Sequence, residues 1–477
     1  MTIQFSIISG FQIFLFSLVV TYFILPRMCL YANKIGLLDF SDNRKVHKVG
    51  RPLIGGIAIA IALSTSCLLF IETKQILGFH VGMLMVLLIG FFDDYKKLTP
   101  RWKLVGQIGT AIIVIYSGEV VLLSFGDIFS FGAVDLGIFA IPVTVLGIVG
   151  IINATNMIDG VDGLVGGVSV IAFISFGILA YINNQAMYLL LSIALTGSVV
   201  AFLRYNWHPS LLFLGDAGSF LLGFSMVFLS IAISQKHNGI VPPVAPLLIL
   251  IVPIVDLASV SLRRIIGGKN PFSADRAHIH HILLRLGFKK KQVVLIIALI
   301  TTIFSTIGIV GTIYKIPEYY LFSLVVAFFI AHFTFSLNIK KLLRYKINGK
   351  KGWHHVKSDA LSKERMHKMV KIRNSRSLSR KTDCSRILCT IESNNKNQAN
   401  LRKLMNISFD GLAVEIDQYL PKSEHEIKLV LPGNENNIGV TANAEIVWMC
   451  RDNGWYIYGF KFKELGKKQR DILQYYL

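Results

Sequence analysis

The chain has 477 residues, 53% of them hydrophobic and only 16% charged, with a mean hydropathy of +0.57. A soluble globular chain carries about 25% charged residues, so a wholly soluble enzyme is excluded. The net charge of +21 is uneven: residues 1–339 hold 22 basic and 14 acidic side chains, and residues 340–477 hold 27 and 14. This split predicts an all-α polytopic membrane domain over 1–339 followed by a polar tail. Five cysteines, at 29, 67, 384, 389 and 450, are odd in number and lack metal-type spacing. They read as unpaired thiols in a reducing compartment. The first apolar run is too long for a cleaved leader and has no charged n-region, so it is expected to stay as a helix.

Taken in chain order, apolar runs predict eleven spans at about 7–26, 52–71, 76–93, 104–118, 137–153, 166–183, 186–203, 212–233, 242–262, 293–313 and 319–338. Each approaches the roughly 20 residues that cross a bilayer core. Loops after the odd-numbered spans hold 19 Lys and Arg, and those after the even-numbered spans hold three, Lys74, Lys236 and Lys315. Basic loops stay in the cytoplasm. The odd loops and the tail are therefore expected there, in a bacterial inner membrane, with the N-terminus external. Asp39, Asp42, Asp93, Asp94, Asp159, Asp162, Asp216, Asp256 and Asp275 all lie in or beside the odd loops. Carboxylates at apolar helix ends are expensive and usually functional, and their convergence on one face suggests a metal-bearing anion site. For Asp39, Asp42 and Asp275, solvation of a helix end is an equal reading.

The motifs fall in those same loops. The third span ends in Asp93-Asp94, and Lys103 and Gln107 open the fourth; a carboxylate pair is easiest to keep ionised beside a cation. The fifth runs into Asn153-x-x-Asn156-x-x-Asp159-Gly-x-Asp162-Gly163. Polar groups three apart become neighbours on a helix, and the glycines permit close backbone approach to a ligand. The eighth opens with Gly215-Asp216-Ala217-Gly218-Ser219, a candidate helix N-terminus whose free amides attract phosphate. After the ninth come Arg263, Arg264, Arg276 and His278-Ile-His280-His281, and His47-Lys48 precedes the second. The three histidines admit a zinc reading, but no thiol accompanies them. There is no G-x-x-x-x-G-K-[ST] loop for ATP-driven transport, and a secondary transporter would keep its acids at mid-membrane.

DDxxxLxxxxKLxxQ, NAxNxxDGxDGLxxG, GDxGSxxLG and HxHH in this order resemble the polyprenyl-phosphate N-acetylhexosamine-1-phosphate transferases of glycosyltransferase family 4, kin of the peptidoglycan phospho-N-acetylmuramoyl-pentapeptide translocase. The resemblance covers about residues 10–340, and the Asp275–His281 stretch looks closer to the N-acetylglucosamine branch. Ala274 departs from that branch, which often has proline there. The resemblance implies transfer of a sugar 1-phosphate from a UDP-N-acetylhexosamine to polyprenyl phosphate, with release of UMP, to initiate cell-surface glycan synthesis. It implies Mg²⁺, with Mn²⁺ as the alternative, and Asp216 and Asp94 as its ligands. Asp93 and Asp94 are then expected beside metal and lipid phosphate, with Asp159, Asp162 and Asn156 around the nucleotide. His278, His280, His281 and Arg276 are expected on phosphate, and His47, Lys48, Lys103, Asn153 and Gly215 among the substrate-binding groups. A homodimer is compatible with it. The chemistry agrees, since hard Mg²⁺ prefers carboxylate and phosphate oxygens and phosphoryl transfer needs mostly positioning and charge neutralisation.

Residues 340–381 carry 15 basic side chains against Asp359 and Glu364. This linker is expected to lie on anionic lipid; no aromatic interleaving supports nucleic-acid binding. Residues 382–477 alternate like strands around 387–391, 412–416, 427–431, 444–448 and 455–462, with a polar helix at about 467–475. Short alternating strands predict a small antiparallel β-barrel. Arg376-x-x-x-Arg380 ahead of it and Asn406-x-Ser408-x-x-Gly411 within it resemble a PilZ domain, the cyclic di-GMP receptor module. That resemblance implies cyclic di-GMP as a regulatory ligand, gripped by Arg376 and Arg380, with Asn406, Ser408 and Gly411 shaping the strand turn. The alternative is a membrane-tethered cyclic di-GMP receptor with an inactive transferase half, against which the intact acidic motifs argue.

Overall fold

A computed structural model of the chain describes residues 7–39, 50–71, 76–118, 120–235, 240–268 and 278–353, and the strands between 388 and 464, together with Gln469. It divides into two units, residues 1–346 and 347–477.

The first unit is helical. In chain order it contains α1 (Ile7–Ile35), α2 (Gly55–Phe70), α3 (Leu77–Lys96), α4 (Pro100–Gly118), α5 (Ala140–Ile158), α6 (Leu164–Ile182) and α7 (Ala186–Asn206). There follow α8 (Gly215–Gln235), α9 (Val244–Ile249), α10 (Ile251–Ile266), α11 (Ile279–Arg285), α12 (Lys290–Ile313) and α13 (Glu318–Trp353). Among the described residues eight helices, α1, α3, α5, α6, α7, α8, α12 and α13, are long and apolar enough to cross a membrane. Eleven spans were expected, and three differ for stated reasons. The second is a 16-residue helix. The fourth, α4, opens with Arg101, Lys103 and Gln107 and is less apolar. The ninth is broken into α9 and α10 at Leu250, where the ring of Pro253 crowds the carbonyl four residues earlier and cannot donate to it.

α8 is the axis of this unit. Nearly every side chain along it is buried, and it packs against α2, α3, α5 and α6. Two glycines let its neighbours approach. A Cβ on Gly56 of α2 would overlap the backbone of Gly218, and one on Gly90 of α3 would overlap Ala217. The start of α2 is also zipped to the strand leading into α8. Gly55 and Gly56 donate their N–H groups to the carbonyls of Phe213 and Leu214 at 3.1 and 3.0 Å, and Phe213 N–H donates to Pro52 at 2.9 Å. A two-stranded ribbon, β1 (Leu38–Asp39) with β2 (Arg51–Pro52), sets Asp39 opposite Arg51 at the same end.

The second unit contains β3 (Leu388–Ser393), β4 (Gln398–Ala399), β5 (Leu401–Ser408), β6 (Gly411–Ile416), β7 (Glu424–Leu431), β8 (Ile438–Asp452) and β9 (Trp455–Glu464). They form a seven-stranded antiparallel sheet ordered β4-β3-β7-β8-β9-β6-β5. Leu412, Val414, Ala442, Ala444, Tyr458, Phe460 and Phe462 are buried, the period of two that puts one face of a sheet inward. β4 and β5 stand last in this order, and β3 approaches β5. The closing helix expected at 467–475 lies outside the described residues, except for Gln469.

The close approach of α2 to α8 is testable. Overpacking a tight contact costs about 1–3 kcal/mol, so Gly56→Ala should lower the melting temperature of the detergent-solubilised protein. Gly147→Ala on α5, where a Cβ meets nothing within 4 Å, should leave it unchanged or raise it. Equal melting of the two variants would contradict the packing.

Candidate active site

A helix leaves its first N–H groups without intrahelical partners and carries partial positive charge there. At α8 those amides are taken by a side chain from another helix. Asp94, at the end of α3, accepts from the N–H of Asp216 at 2.8 Å and of Ala217 at 3.1 Å. Gly215 precedes them with φ +75°, and a Cβ there would stand 2.6 Å from the Asp94 carboxylate, so the turn into α8 suits glycine.

This cap presents the Asp216 side chain to a cluster. Oδ1 of Asp216 accepts from Asn156 Nδ2 at 2.8 Å, and Oδ2 lies 3.4 Å from Lys103 Nζ. The same ammonium pairs with Asp93, whose other oxygen accepts the N–H of Leu98 at 2.8 Å. Burial works against the Lys103 charge, but the hydrogen bond to Asp93 and the charges of Asp216 and Asp93 outweigh it and raise its pKa. One cation thus holds two carboxylates together, with Asp94 beside them.

The loop from α5 to α6 supplies the opposite wall. Asp162 faces His208 Nδ1 at 2.7 Å and Lys290 Nζ at 3.6 Å. Burial would raise its pKa, yet the His208 hydrogen bond and the Lys290 charge carry it below the usual carboxylate range. The loop is anchored by Asn206, which accepts from Gly163 N–H at 2.9 Å and donates to the Leu212 carbonyl at 3.0 Å. Between the walls lies a cleft of about 600 Å³, lined by Asp93, Asp94, Asp159, Asp162, Asp216 and Lys103, with Arg51, Lys97 and Lys290 also on its wall.

Six of the motif side chains expected at the site therefore share one cleft, and Gly215 lines it as well. Asn156 reaches it through Asp216. Asn153 does not, since it donates to Gln107 Oε1 at 2.6 Å and to the Val149 carbonyl, one helical turn away from Asn156. His278 is turned toward Asp256, 2.8 Å from its carboxylate. His280 abuts Gly160 of the cleft wall and touches His281 at a tilt of 46°, with ring centroids 4.1 Å apart. His47, Lys48, Arg276, Arg376 and Arg380 lie outside the described residues. Asn406 and Ser408 pair in register with Ala413 and Gly411 on the β5–β6 hairpin. Arg51, Lys97, Asn206, His208 and Lys290 were not among the expected site residues; Arg51 and Lys97 stand within the motif segments beside His47-Lys48 and Asp93-Asp94, and for Lys290 only the basic character of its loop gave a hint.

The donor set suits a hard divalent cation. Among the described residues no three His, Cys, Asp or Glu side chains are spaced to hold an ion by themselves. Mg²⁺ takes one or two carboxylates and leaves other positions to substrate oxygens and water, which fits the several aspartates lining one open cleft.

His280 yields a pH prediction. Burial, reinforced by His281, depresses its pKa to about 3, against about 6.5 for an ordinary imidazole. The unfolded chain then binds more protons between those values, so this contribution to stability is full above about 6.5 and is lost as pH falls toward 3. His280→Asn should flatten the fall in melting temperature between about pH 7 and pH 4.5. An unchanged slope would mean that the ring is hydrated.

Comparison with known proteins agrees with this geometry. The model of glycosyl transferase family 4 matches residues 76–234 and that of the PilZ domain residues 376–477. A probable undecaprenyl-phosphate N-acetylglucosaminyl 1-phosphate transferase of Bacillus subtilis is 37% identical over 301 residues, 62% of this chain and 83% of the relative. Undecaprenyl-phosphate alpha-N-acetylglucosaminyl 1-phosphate transferases of Haemophilus influenzae and Pasteurella multocida are 34% and 35% identical, covering 65% and 69% of this chain and 88% and 94% of their own lengths. The chain is an enzyme of glycosyl transferase family 4, with undecaprenyl-phosphate N-acetylglucosaminyl 1-phosphate transferases among its relatives, and it carries a C-terminal PilZ domain.

Proposed function

We propose that the protein transfers N-acetylglucosamine 1-phosphate from UDP-N-acetylglucosamine to undecaprenyl phosphate and releases UMP, initiating a cell-surface glycan. In the net change a phosphoanhydride bond forms between lipid phosphate and sugar phosphate. The diphosphate bond of the donor breaks, and its bridging oxygen leaves with UMP. The observation that carries this reading is the gathering of Asp93, Asp94 and Asp216 around the start of α8, with Lys103 among them. Mg²⁺, or Mn²⁺ in its place, would be held by Asp216 and Asp94 and would neutralise the phosphates. Lys103 keeps Asp93 and Asp216 in place, and Asn156 fixes the direction of the Asp216 carboxylate. Arg51, Lys97 and Lys290 offer positive charge to the entering diphosphate. His47, Lys48 and Arg276 complete the substrate-binding set in this reading, with the histidines of the His278–His281 segment on phosphate. The loop-charge asymmetry supports a cytoplasmic cleft and tail, on the side where UDP-sugars are made.

The PilZ domain supports binding of cyclic di-GMP, with Arg376 and Arg380 as its ligands together with Asn406, Ser408 and Gly411 of the β5–β6 hairpin. The 15 basic side chains of segment 340–381 suit it to anionic lipid, and in this reading the nucleotide regulates the transferase.

Two measurements test this. Asp216→Asn keeps shape but removes a charge that Mg²⁺ would require, and loss of electrostatic stabilisation at the reacting phosphates costs about 10²–10³ in rate. UMP release should fall by about that factor, while Asp135→Asn, in the loop before α5, should matter little; near-normal turnover in Asp216→Asn would refute the site. For the tail, charge-assisted hydrogen bonds contribute about 1.5–3 kcal/mol each. Arg376→Ala with Arg380→Ala should therefore weaken cyclic di-GMP binding to the full-length protein at least tenfold by calorimetry. Unchanged affinity would remove the two arginines from the receptor site.

A further inference from the structure

We propose that Asp256, braced by His332, is a positioning residue that fixes the tautomer and direction of His278. The inference rests on the transferase reading above, in which the His278–His281 segment serves the reaction.

Asp256 does not line the cleft. It sits on α10 with 1% of its surface exposed, a costly place for a carboxylate unless its oxygens are used. They are used on two consecutive residues. Oδ2 lies 2.8 Å from His278 Nδ1, and Oδ1 accepts the N–H of Ile279 at 2.8 Å. One carboxylate thus clamps the side chain of His278 and the backbone at the start of α11. On its far side stands His332 of α13, itself buried, with Nε2 3.7 Å from Oδ1 and Nδ1 2.9 Å from Ser259 Oγ. Three elements meet at this carboxylate, and His332 with Ser259 limits its rotation.

The chemical consequence concerns the ring. An ionised carboxylate can only accept, so Nδ1 of His278 carries the proton and Nε2 is left as the working nitrogen. His278 lies parallel to His280, at 7° and 6.0 Å between centroids, and His280 abuts Gly160 in the loop that bears Asp159 and Asp162. The orientation set at Asp256 is therefore passed through two stacked rings to the cleft wall. This is the logic by which a buried aspartate holds a catalytic imidazole in one tautomer, where its change to asparagine leaves geometry intact but selects the wrong tautomer.

The test is a double-mutant cycle on the full-length protein, reading UMP release from UDP-N-acetylglucosamine with undecaprenyl phosphate. Asp256→Asn presents an N–H where the ring needs an acceptor, so kcat should fall at least tenfold with KM for the UDP-sugar changed less than twofold. In a His278→Gln background the same substitution should change kcat less than twofold, because the tautomer that it controls is gone. Additive losses would overturn the proposal in favour of a purely structural carboxylate, as would wild-type kcat in Asp256→Asn. Should Asp256→Asn not fold, His332→Gln takes its place, with about a threefold loss of kcat that disappears in the His278→Gln background; a loss that persists there overturns the proposal. Wild-type turnover in His278→Gln would overturn it while an inactive Asp216→Asn left the transferase reading standing. An active Asp216→Asn would take both away.

Discussion

The arrangement depends on one contact, the Asp94 carboxylate against the two free amides at the start of α8. Inside a packed helical unit an uncapped helix end leaves donors that neither water nor lipid can satisfy. Asp94 satisfies two of them with charge-assisted bonds, in the place where the helix dipole favours an anion. The contact needs α3 close to α8, which Gly90 permits one turn before Asp94, and α2 holds the other side through Gly56 and the carbonyls of Phe213 and Leu214. With the end of α8 pinned between α2 and α3, Asp216 has one direction in which to point, and Asn156 and Lys103 meet it there.

The second consequence is electrostatic. Like unit charges about 4 Å apart repel by roughly 4 kcal/mol at an effective dielectric constant of about 20. Asp93 and Asp216 share a single ammonium, and Asp94 and Asp159 line the same cleft. A site with surplus acid among cations is suited to a divalent cation and a phosphate chain together, since each neutralises what the other leaves. The unexposed Asp256 belongs to the same economy of charge, its two oxygens turned to His278 and Ile279 rather than to the cleft.

Much of this was legible in the residues. Carboxylates at the ends of apolar runs stand out in a chain with so few charges, and Asp93, Asp94, Asp159, Asp162 and Asp216 all reached the cleft. What could not be read were contacts made to backbone or across distant loops. The partner of Asp94 is a pair of main-chain amides, and the partners of Asp162 are His208 and Lys290, 46 and 128 positions away. Asn153 shows the limit of spacing as evidence: three residues before Asn156 it lies one turn along the helix, where it meets Gln107 instead of the site. The ninth expected span is not one long helix because a continuous apolar run conceals the break that Pro253 imposes. β5 was not anticipated because Leu401–Ser408 does not alternate cleanly, and its pairing with β6 carries two register shifts.

The most direct test of the central contact is the thermal stability of Asp94→Asn beside that of Asp216→Asn in the same detergent. An asparagine at 94 loses the charge and turns one N–H toward an amide that is itself a donor, so the variant should melt several degrees below wild type. Asp216→Asn relieves repulsion at Asp93 and keeps an acceptor for Asn156, so it should melt at or above wild type. Wild-type melting of Asp94→Asn would contradict the account, because the start of α8 would then not depend on that carboxylate.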